Sequence, residues 1–168
     1  MTTRAIISDF GGVLYIPPDT RWLRRWQVLL GLGRDNFIST AIFAPDESEY
    51  VRKVFTGEIS EGEMWRLVGS RWHVSAWLVE RARRSGFSKN RFNQAMAGFL
   101  GGLRPRYKTA ILSNAGDQGR QVFDRAYRIQ QLVDLVVISA EEHCAKPDER
   151  IYTPVSYTHL TLPTTERV

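Results

Sequence analysis

The feature that most constrains the fold is a short apolar run near the start of the chain that ends in a carboxylate. Residues 6–9 read Ile-Ile-Ser-Asp, and after Phe10 come two glycines, Gly11 and Gly12. Such a run is typical of a buried parallel strand, and open α/β sheets bind their ligands at the carboxyl ends of the strands. The glycines let the backbone turn sharply and come close to a bound group. The pattern predicts that Asp9 is a nucleophilic carboxylate that lies next to a bound anion.

The composition narrows the class of protein without indicating an activity. The chain has 168 residues, of which 43% are hydrophobic and 24% charged, as in a soluble globular protein with one core or one core and an insertion. No apolar stretch is long enough to span a bilayer, and no signal-peptide pattern is present, so we expect a cytoplasmic protein with no membrane partner. The net charge of +5 comes from scattered arginines without a nucleic-acid-binding motif, so no nucleic-acid partner is expected. The single cysteine, Cys144, excludes an internal disulfide.

The apolar pattern changes along the chain from helical to extended. Between residues 17 and 100, apolar residues recur at steps of three and four, as in 22–30, which predicts a small helical bundle without strands. Gly57 is predicted to end one of its helices, and Ser60 to Glu63 to form the capping box of the next. Residues 108–114 and 132–139 are predicted strands, and 116–128 is a predicted helix between them. This order favours a parallel sheet with right-handed crossovers. We therefore predict an α/β fold whose Rossmann-like parallel sheet is interrupted after its first strand by a helical insert.

Polar groups follow each of the three predicted strands. Asp9 follows the first strand, Ser113 and Asn114 end the second, and Lys146 follows the third after a short polar connection. A carboxylate, a hydroxyl and an ammonium at one sheet edge suit phosphoryl transfer to an aspartate. The carboxylate attacks, while the hydroxyl, the lysine and backbone amides hold the phosphoryl oxygens as charge develops. We therefore predict that Asp9 is a nucleophile and that Lys146 is a point charge that binds phosphate.

Three segments of the chain resemble the motifs of the haloacid dehalogenase-like (HAD) superfamily of hydrolases. They are Asp-Phe-Gly-Gly-Val-Leu at 9–14, Ile-Leu-Ser-Asn at 111–114 and Lys-Pro-Asp-Glu-Arg-Ile-Tyr at 146–152. Their order, with a helical insert after the first, is similar to that of the capped, phosphatase-like branch of the superfamily. Residues 55–60 also resemble a segment common in the caps of one branch. The resemblance covers most of the chain from residue 4 to residue 154.

The resemblance implies a domain division and a role for each matching residue. The discontinuous hydrolase core is expected at residues 1–16 and 101–154, and the helical cap at 17–100. Asp9 is expected to be the nucleophile and a ligand of Mg²⁺, with the backbone carbonyl of Gly11 as a second ligand. The positions expected to bind phosphate are Gly12, Ser113, Asn114 and Lys146. The implied activity is Mg²⁺-dependent hydrolysis of a small phosphate monoester, a small-molecule phosphorylated substrate, through an aspartyl-phosphate intermediate.

The chain departs from the superfamily pattern at Gly11. The usual pattern has a second aspartate here, two residues after the nucleophile, which serves as general acid and base, and glycine offers no proton. Two alternatives to the phosphatase therefore stay open. In the first, the same aspartate displaces halide through an ester intermediate, as in a 2-haloacid dehalogenase, a reaction that needs no Mg²⁺. In the second, the fold serves as a non-catalytic binding or regulatory module.

The last residues of the chain depart from the pattern as well. The superfamily's fourth motif is an acidic cluster that completes the magnesium site, and it is expected well beyond Tyr152. Residues 155–165 contain no carboxylate pair and, back-translated, they resemble a sequencing-library adapter read as coding sequence. We therefore expect residues 155–168 to be a non-native tail that leaves the core incomplete at its C-terminus. For the same reason we expect this chain to have little or no hydrolase activity.

Overall fold

The computed structural model describes residues 4–16, 49–71, 73–87, 91–104 and 106–157, and within them strands alternate with helices. The strands are β1 (Ala5–Ser8), β2 (Tyr15–Ile16), β3 (Arg91–Phe92), β4 (Lys108–Ser113) and β5 (Leu135–Ile138). The α-helices are α1 (Glu49–Phe55), α2 (Glu61–Arg71), α3 (Ala76–Phe87), α4 (Gln94–Leu103), α5 (Gly119–Tyr127), α6 (Ser139–Glu142) and α7 (Thr153–Tyr157). Short 3₁₀ turns lie at Ile129–Gln131 and Glu149–Tyr152. None of the helices in these ranges is both long and apolar enough to cross a membrane.

The central sheet is parallel, with the strand order β1–β4–β5. In the first pair, Ser8 lies opposite Ile111, and in the second pair, Ser113 lies opposite Ile138. The helix α5 connects β4 to β5, as a crossover between neighbouring parallel strands requires. This architecture confirms the predicted α/β fold class with a Rossmann-like parallel sheet. It also brings the carboxyl ends of β1, β4 and β5 to one edge.

Side chains alternate between the two faces of the sheet and form a core on each. Ile111 belongs to a cluster on one face with Phe10, Leu100 and Phe123, which come from the β1 end, α4 and α5. On the other face, Ala110 and Leu112, the neighbours of Ile111 in β4, belong to a second cluster. Its other buried members are Val137, Cys144, Ile151 and Val155. Fully burying an aliphatic or aromatic side chain of this size contributes about 1.5–3 kcal/mol. A sheet covered on both faces explains why three consecutive residues of β4, Ala110 to Leu112, are apolar.

An aromatic stack anchors the residue that follows the predicted nucleophile. The ring of Phe10 is buried, and its centroid lies 3.7 Å from that of Phe123 on α5. The ring of Tyr127, one turn further along α5, stacks on Phe92 of β3 at 4.6 Å. Burial raises the pKa of the Tyr127 hydroxyl, which stays in its neutral form. Because Phe10 cannot move without opening this stack, the backbone beside Asp9 is fixed.

The helical insert is described from α1 to α3, and several of its predicted local features are observed. Gly57 ends the α1 segment with a φ of +71°, and the Ser60 hydroxyl accepts a hydrogen bond from the backbone N–H of Glu63 at 3.0 Å, as a capping box requires. The predicted helix within 22–30 lies outside the described residues. The expectation that no strand interrupts this stretch is wrong, because β3 pairs antiparallel with β2. A two-residue strand is too short to produce a detectable alternation in the sequence.

Helix α4 packs on the sheet rather than on the described helices of the insert. Ala97 and Leu100 are buried in the same cluster as Phe10 and Ile111. The predicted boundary between cap and core at residue 100 therefore falls inside α4, whose first residue is Gln94. The division into two domains at that position stays a prediction.

Candidate functional site

The carboxylate of Asp9 lies one residue beyond the end of β1 and pairs with the ammonium group of Lys146. The distance from Lys146 Nζ to Asp9 Oδ2 is 2.7 Å, and the two side chains are 23% and 44% exposed, respectively. The other carboxylate oxygen, Oδ1, accepts a hydrogen bond of 2.6 Å from the backbone N–H of Phe10. Both oxygens of Asp9 therefore have a fixed donor, and the half-exposed carboxylate still opens to the solvent side of the site.

Lys146 is positioned by the carboxyl end of β4. Its ammonium group donates to the backbone carbonyl of Leu112 at 3.1 Å. Its own backbone is held by the side chain of Asn114, since Lys146 N–H donates to Asn114 Oδ1 at 2.8 Å and Asn114 Nδ2 donates to the Lys146 carbonyl at 3.0 Å. The Asn114 amide thus closes a two-bond clamp on the segment that carries the lysine. As a phosphate ligand, Asn114 would have to use its backbone N–H.

The hydroxyl of Ser113 is buried at the last residue of β4. Ser113 is 4% exposed, and its side chain has no hydrogen-bond partner in the part of the chain that the structure describes. An unpaired hydroxyl away from water costs about 1–3 kcal/mol. A ligand oxygen within hydrogen-bond distance of the hydroxyl would remove this cost.

The two glycines after Phe10 form a tight turn beside the site. The carbonyl of Phe10 accepts backbone hydrogen bonds from Leu14 and Tyr15, each at 2.9 Å, and Gly12 has a φ of +74°, which a residue with a side chain adopts only with strain. The N–H of Gly12 donates to the Tyr15 carbonyl at 2.8 Å, so in this conformation it is already paired. Its predicted contact with phosphate would require that bond to open.

The oxygen donors near the carboxyl end of β1 can be compared with those that the implied Mg²⁺ site needs. The carbonyl of Gly11 takes no part in the bridge to Tyr15, which uses the Phe10 carbonyl and the Gly12 N–H. The Asp9 carboxylate and this carbonyl are hard oxygen donors, and Mg²⁺ in proteins is commonly held by one or two carboxylates together with substrate phosphate and water. In the described residues, no group of three or more His, Cys, Asp or Glu side chains could share an ion. The donors fit a magnesium ion that is bound jointly with phosphate, and they do not form a complete protein cage.

The loop that carries Ser113 and Asn114 continues into the contact with the helical insert. Oδ1 of Asp117 accepts a hydrogen bond from the backbone N–H of Glu61, the first residue of α2, at 2.8 Å. Gly116 lies against α1 so closely that a Cβ there would be 2.7 Å from Val54 Cγ1. The insert therefore docks on the same loop that ends the predicted phosphate-binding strand.

A cavity of about 620 Å³ lies at this docking region. Its walls come from α2, α3 and Gln118, which directly precedes α5, and they include Trp65, Arg66 and Glu80. The volume is in the range of small-molecule sites. None of the predicted site residues lines this cavity, although Gln118 is four residues from Asn114.

Two titratable groups whose pKa values are shifted lie away from Asp9 and Lys146. Hydrogen bonds from the backbone and hydroxyl of Thr109, together with the Arg104 guanidinium, hold the pKa of Asp134 below its ordinary value of 3.8. Burial raises the pKa of the Cys144 thiol. A buried thiol with a raised pKa has little thiolate and is a poor nucleophile. Both groups therefore serve the fold rather than the reaction.

Two positioning residues escaped the sequence prediction. Asn93 donates from Nδ2 to the Val13 carbonyl at 3.1 Å, which ties α4 to the turn after Asp9. Asp117, described above, ties the loop that follows β4 to α2. Asn93 stands directly before a helical pattern, so its role as the α4 N-cap was open to prediction. Neither long-range bond leaves a local signal in the sequence.

Comparison with solved structures shows which fold this is. The chain is similar to the HAD family enzyme BT-2542 from Bacteroides thetaiotaomicron in complex with magnesium and inorganic phosphate, with a TM-score of 0.69 and 19% identity, covering 92% of this chain and 78% of that one. It is also similar to a HAD-like family hydrolase from Porphyromonas gingivalis, with a TM-score of 0.66 and 21% identity over 92% and 75% of the chains. For the L-2-haloacid dehalogenase from Xanthobacter autotrophicus with chloropropionic acid covalently bound, the TM-score is 0.58 and the identity 17%, over 92% and 64%. No protein-family model and no curated protein matches the sequence. The chain has the fold of HAD-family enzymes.

Proposed function

We propose that this chain carries the site of a HAD-type hydrolase, in which Asp9 accepts the phosphoryl group of a small phosphorylated substrate while hydrolytic turnover stays low. The observation that carries the proposal is the pairing of Lys146 Nζ with Asp9 Oδ2 at 2.7 Å, at the edge of the sheet where the neighbouring strand β4 ends in the buried residue Ser113. A carboxylate, an ammonium group and a hydroxyl are thus available at the carboxyl edge of the parallel sheet. This is the place and the chemistry that phosphoryl transfer to a carboxylate requires.

Each residue has a distinct part in the proposed reaction. Asp9 attacks phosphorus, and the P–O bond to the leaving group breaks. The ammonium of Lys146 balances charge on the phosphoryl oxygens, and the Ser113 hydroxyl donates to one of them. Asn114 holds the lysine segment in place through its two bonds to the Lys146 backbone. Asp9 and the Gly11 carbonyl would hold Mg²⁺, which supplies further positive charge at the phosphoryl group when it is bound.

The proposal predicts a phosphorylated Asp9. Incubating the chain with acetyl phosphate and Mg²⁺ should add one phosphoryl group, which intact-protein mass spectrometry detects and peptide mapping assigns to Asp9. The Asp9→Asn variant should gain none, because a carboxamide is a poor nucleophile. The same substitution at Asp124, on the surface of α5, is the matched control and should leave the labelling unchanged. Labelling that persists in Asp9→Asn would overturn the assignment.

Displacement of halide is a second candidate, and Gly11 is the observation that favours it. Halide leaves as an anion and needs no proton, so a site without an acid beside Asp9 suits this chemistry. The solved dehalogenase with chloropropionic acid covalently bound has the same fold. Incubation with 2-chloropropionate distinguishes the candidates, because a dehalogenase releases chloride and forms an ester on Asp9 without Mg²⁺. Phosphorylation of Asp9 without chloride release supports the phosphatase.

A further inference from the structure

Among the described residues, nothing fills the space beside Gly11, two residues after Asp9. A Cβ built on Gly11 would meet no atom of those residues within 4 Å apart from its own chain neighbours, and the backbone there is not in the left-handed region. At Gly12, by contrast, the φ of +74° disfavours any side chain. The backbone at position 11 therefore accepts a Cβ without strain. Glycine leaves this exposed position without a titratable side chain.

The described neighbours of Asp9 do not replace the missing acid. In the part of the chain that the structure describes, the polar contacts of its carboxylate are the Phe10 N–H and the Lys146 ammonium. The ammonium is bound to the attacking carboxylate, and in an in-line displacement the leaving oxygen lies on the opposite side of phosphorus. Lys146 can thus stabilise charge on the phosphoryl group but cannot reach the oxygen that departs.

We infer that this site takes phosphoryl groups only from donors whose leaving group departs without a proton, and that the resulting aspartyl phosphate is long-lived. The inference rests on the proposed function and specifies its substrate class as acyl phosphates, with aryl phosphates next. Alcohols have a pKa close to the value of about 16 of water, phenols about 10 and carboxylic acids about 4. An alkyl phosphate therefore needs proton donation to its leaving oxygen, and an acyl phosphate does not.

The two steps balance as follows. Asp9 Oδ forms a bond to phosphorus while the leaving oxygen departs with the electron pair of its own P–O bond, as a carboxylate from an acyl phosphate. Water then attacks phosphorus, the bond to Asp9 breaks, and the Asp9 carboxylate and inorganic phosphate are released, with the water's proton passing to phosphate or solvent. The second step is slow because no side chain at position 11 removes that proton.

The experiment compares three donors with the unaltered chain and with two variants. Acetyl phosphate, p-nitrophenyl phosphate and glycerol phosphate are each incubated with the chain in the presence of Mg²⁺, and the phosphoenzyme is followed by rapid quench and mass spectrometry. Gly11→Asp places an acid and base in the open space, and Gly11→Asn is the matched control of the same size without a titratable proton. Thermal unfolding of all three proteins checks that they are folded.

The expected result is phosphorylation by acetyl phosphate, slower phosphorylation by the aryl ester and none by the alkyl ester. A positioned acid or base contributes about 10²–10⁴-fold. Relative to Gly11→Asn, which has the same bulk, Gly11→Asp should therefore shorten the lifetime of the phosphoenzyme by about 10²-fold or more, and of the two variants it alone should react with glycerol phosphate. Equal rates with the aryl and alkyl esters, or an equally short-lived phosphoenzyme in the unaltered chain, overturn this inference and leave the proposed function standing. Failure of every donor to phosphorylate Asp9 overturns the proposed function itself. The order of donors in the unaltered chain decides the inference even if a variant fails to fold.

Discussion

The clamp that Asn114 forms on Lys146 gives the most direct test of how the site is organised. Replacing Asn114 by alanine removes both bonds to the Lys146 backbone, at 2.8 and 3.0 Å. Each such bond contributes about 1 kcal/mol net, so about 2 kcal/mol of positioning energy is lost. If the lysine segment must be re-ordered when phosphate binds, this loss corresponds to an affinity about 30-fold weaker.

The measurement is phosphate binding by isothermal titration calorimetry in the presence of Mg²⁺. Gln121→Ala, on the exposed side of α5, is the control and should bind phosphate as the unaltered chain does. Thermal unfolding of each variant separates a loss of affinity from a loss of fold. Unchanged phosphate affinity in a folded Asn114→Ala variant would show that the clamp does not position Lys146, and the reasoning would fail.

Three further predictions concern the fold around the site. Gly57→Ala should destabilise the chain by about 2–4 kcal/mol, because it puts an alanine in the left-handed region and places a Cβ 2.5 Å from the Ala140 carbonyl oxygen. Denaturant unfolding measures this loss, and a change near zero would contradict the docking of the insert on α6. The pKa of Asp134 is lowered mainly by the hydrogen bond from the Thr109 backbone N–H. The stability that this provides is fully present when the pH is above the ordinary Asp pKa of 3.8, and it is lost as the pH falls through the lower pKa of the folded state. Asp134→Asn should therefore be less stable at neutral pH and should flatten the acid limb of the stability curve, whereas an unchanged acid limb would argue against this role. Cys144 should react with a thiol reagent only when the chain unfolds, since it is buried and its thiol pKa is raised; labelling of the folded chain at the rate of a free thiol would refute its placement.

Strands and helix ends could be predicted where their signal lies in residues that are close together along the chain. The short apolar run within 108–114 predicted a strand, and in the structure β4 is buried from Thr109 to Ser113. The helix ends at Gly57 and Ser60 were readable because caps use specific residues within one turn. The short strands β2 and β3 were missed, since two residues of each strand carry no detectable period.

The site shows where prediction from sequence stopped. That Asp9, Ser113 and Lys146 meet at one edge followed from the rule that parallel strands present their carboxyl ends together. The partners within that edge did not follow. The amide of Asn114 holds the lysine backbone, and the N–H of Gly12 is paired within its own turn, yet both had been assigned to phosphate. Those phosphate-binding roles stay predictions.

The sequence by itself determined the order of the elements and the kinds of groups that follow each strand, because hydrophobic periodicity and turn residues act over a few neighbouring positions. It placed a carboxylate, a hydroxyl and an ammonium at strand ends, and a glycine two residues after the carboxylate. Only the tertiary structure decided that Lys146 Nζ lies 2.7 Å from Asp9, that Asn114 clamps the lysine, and that no described residue fills the space beside Gly11. These contacts join residues up to 137 positions apart in the case of Asp9 and Lys146, the difference of their residue numbers. Contacts of that separation depend on the packing of the whole core, and no local pattern encodes them.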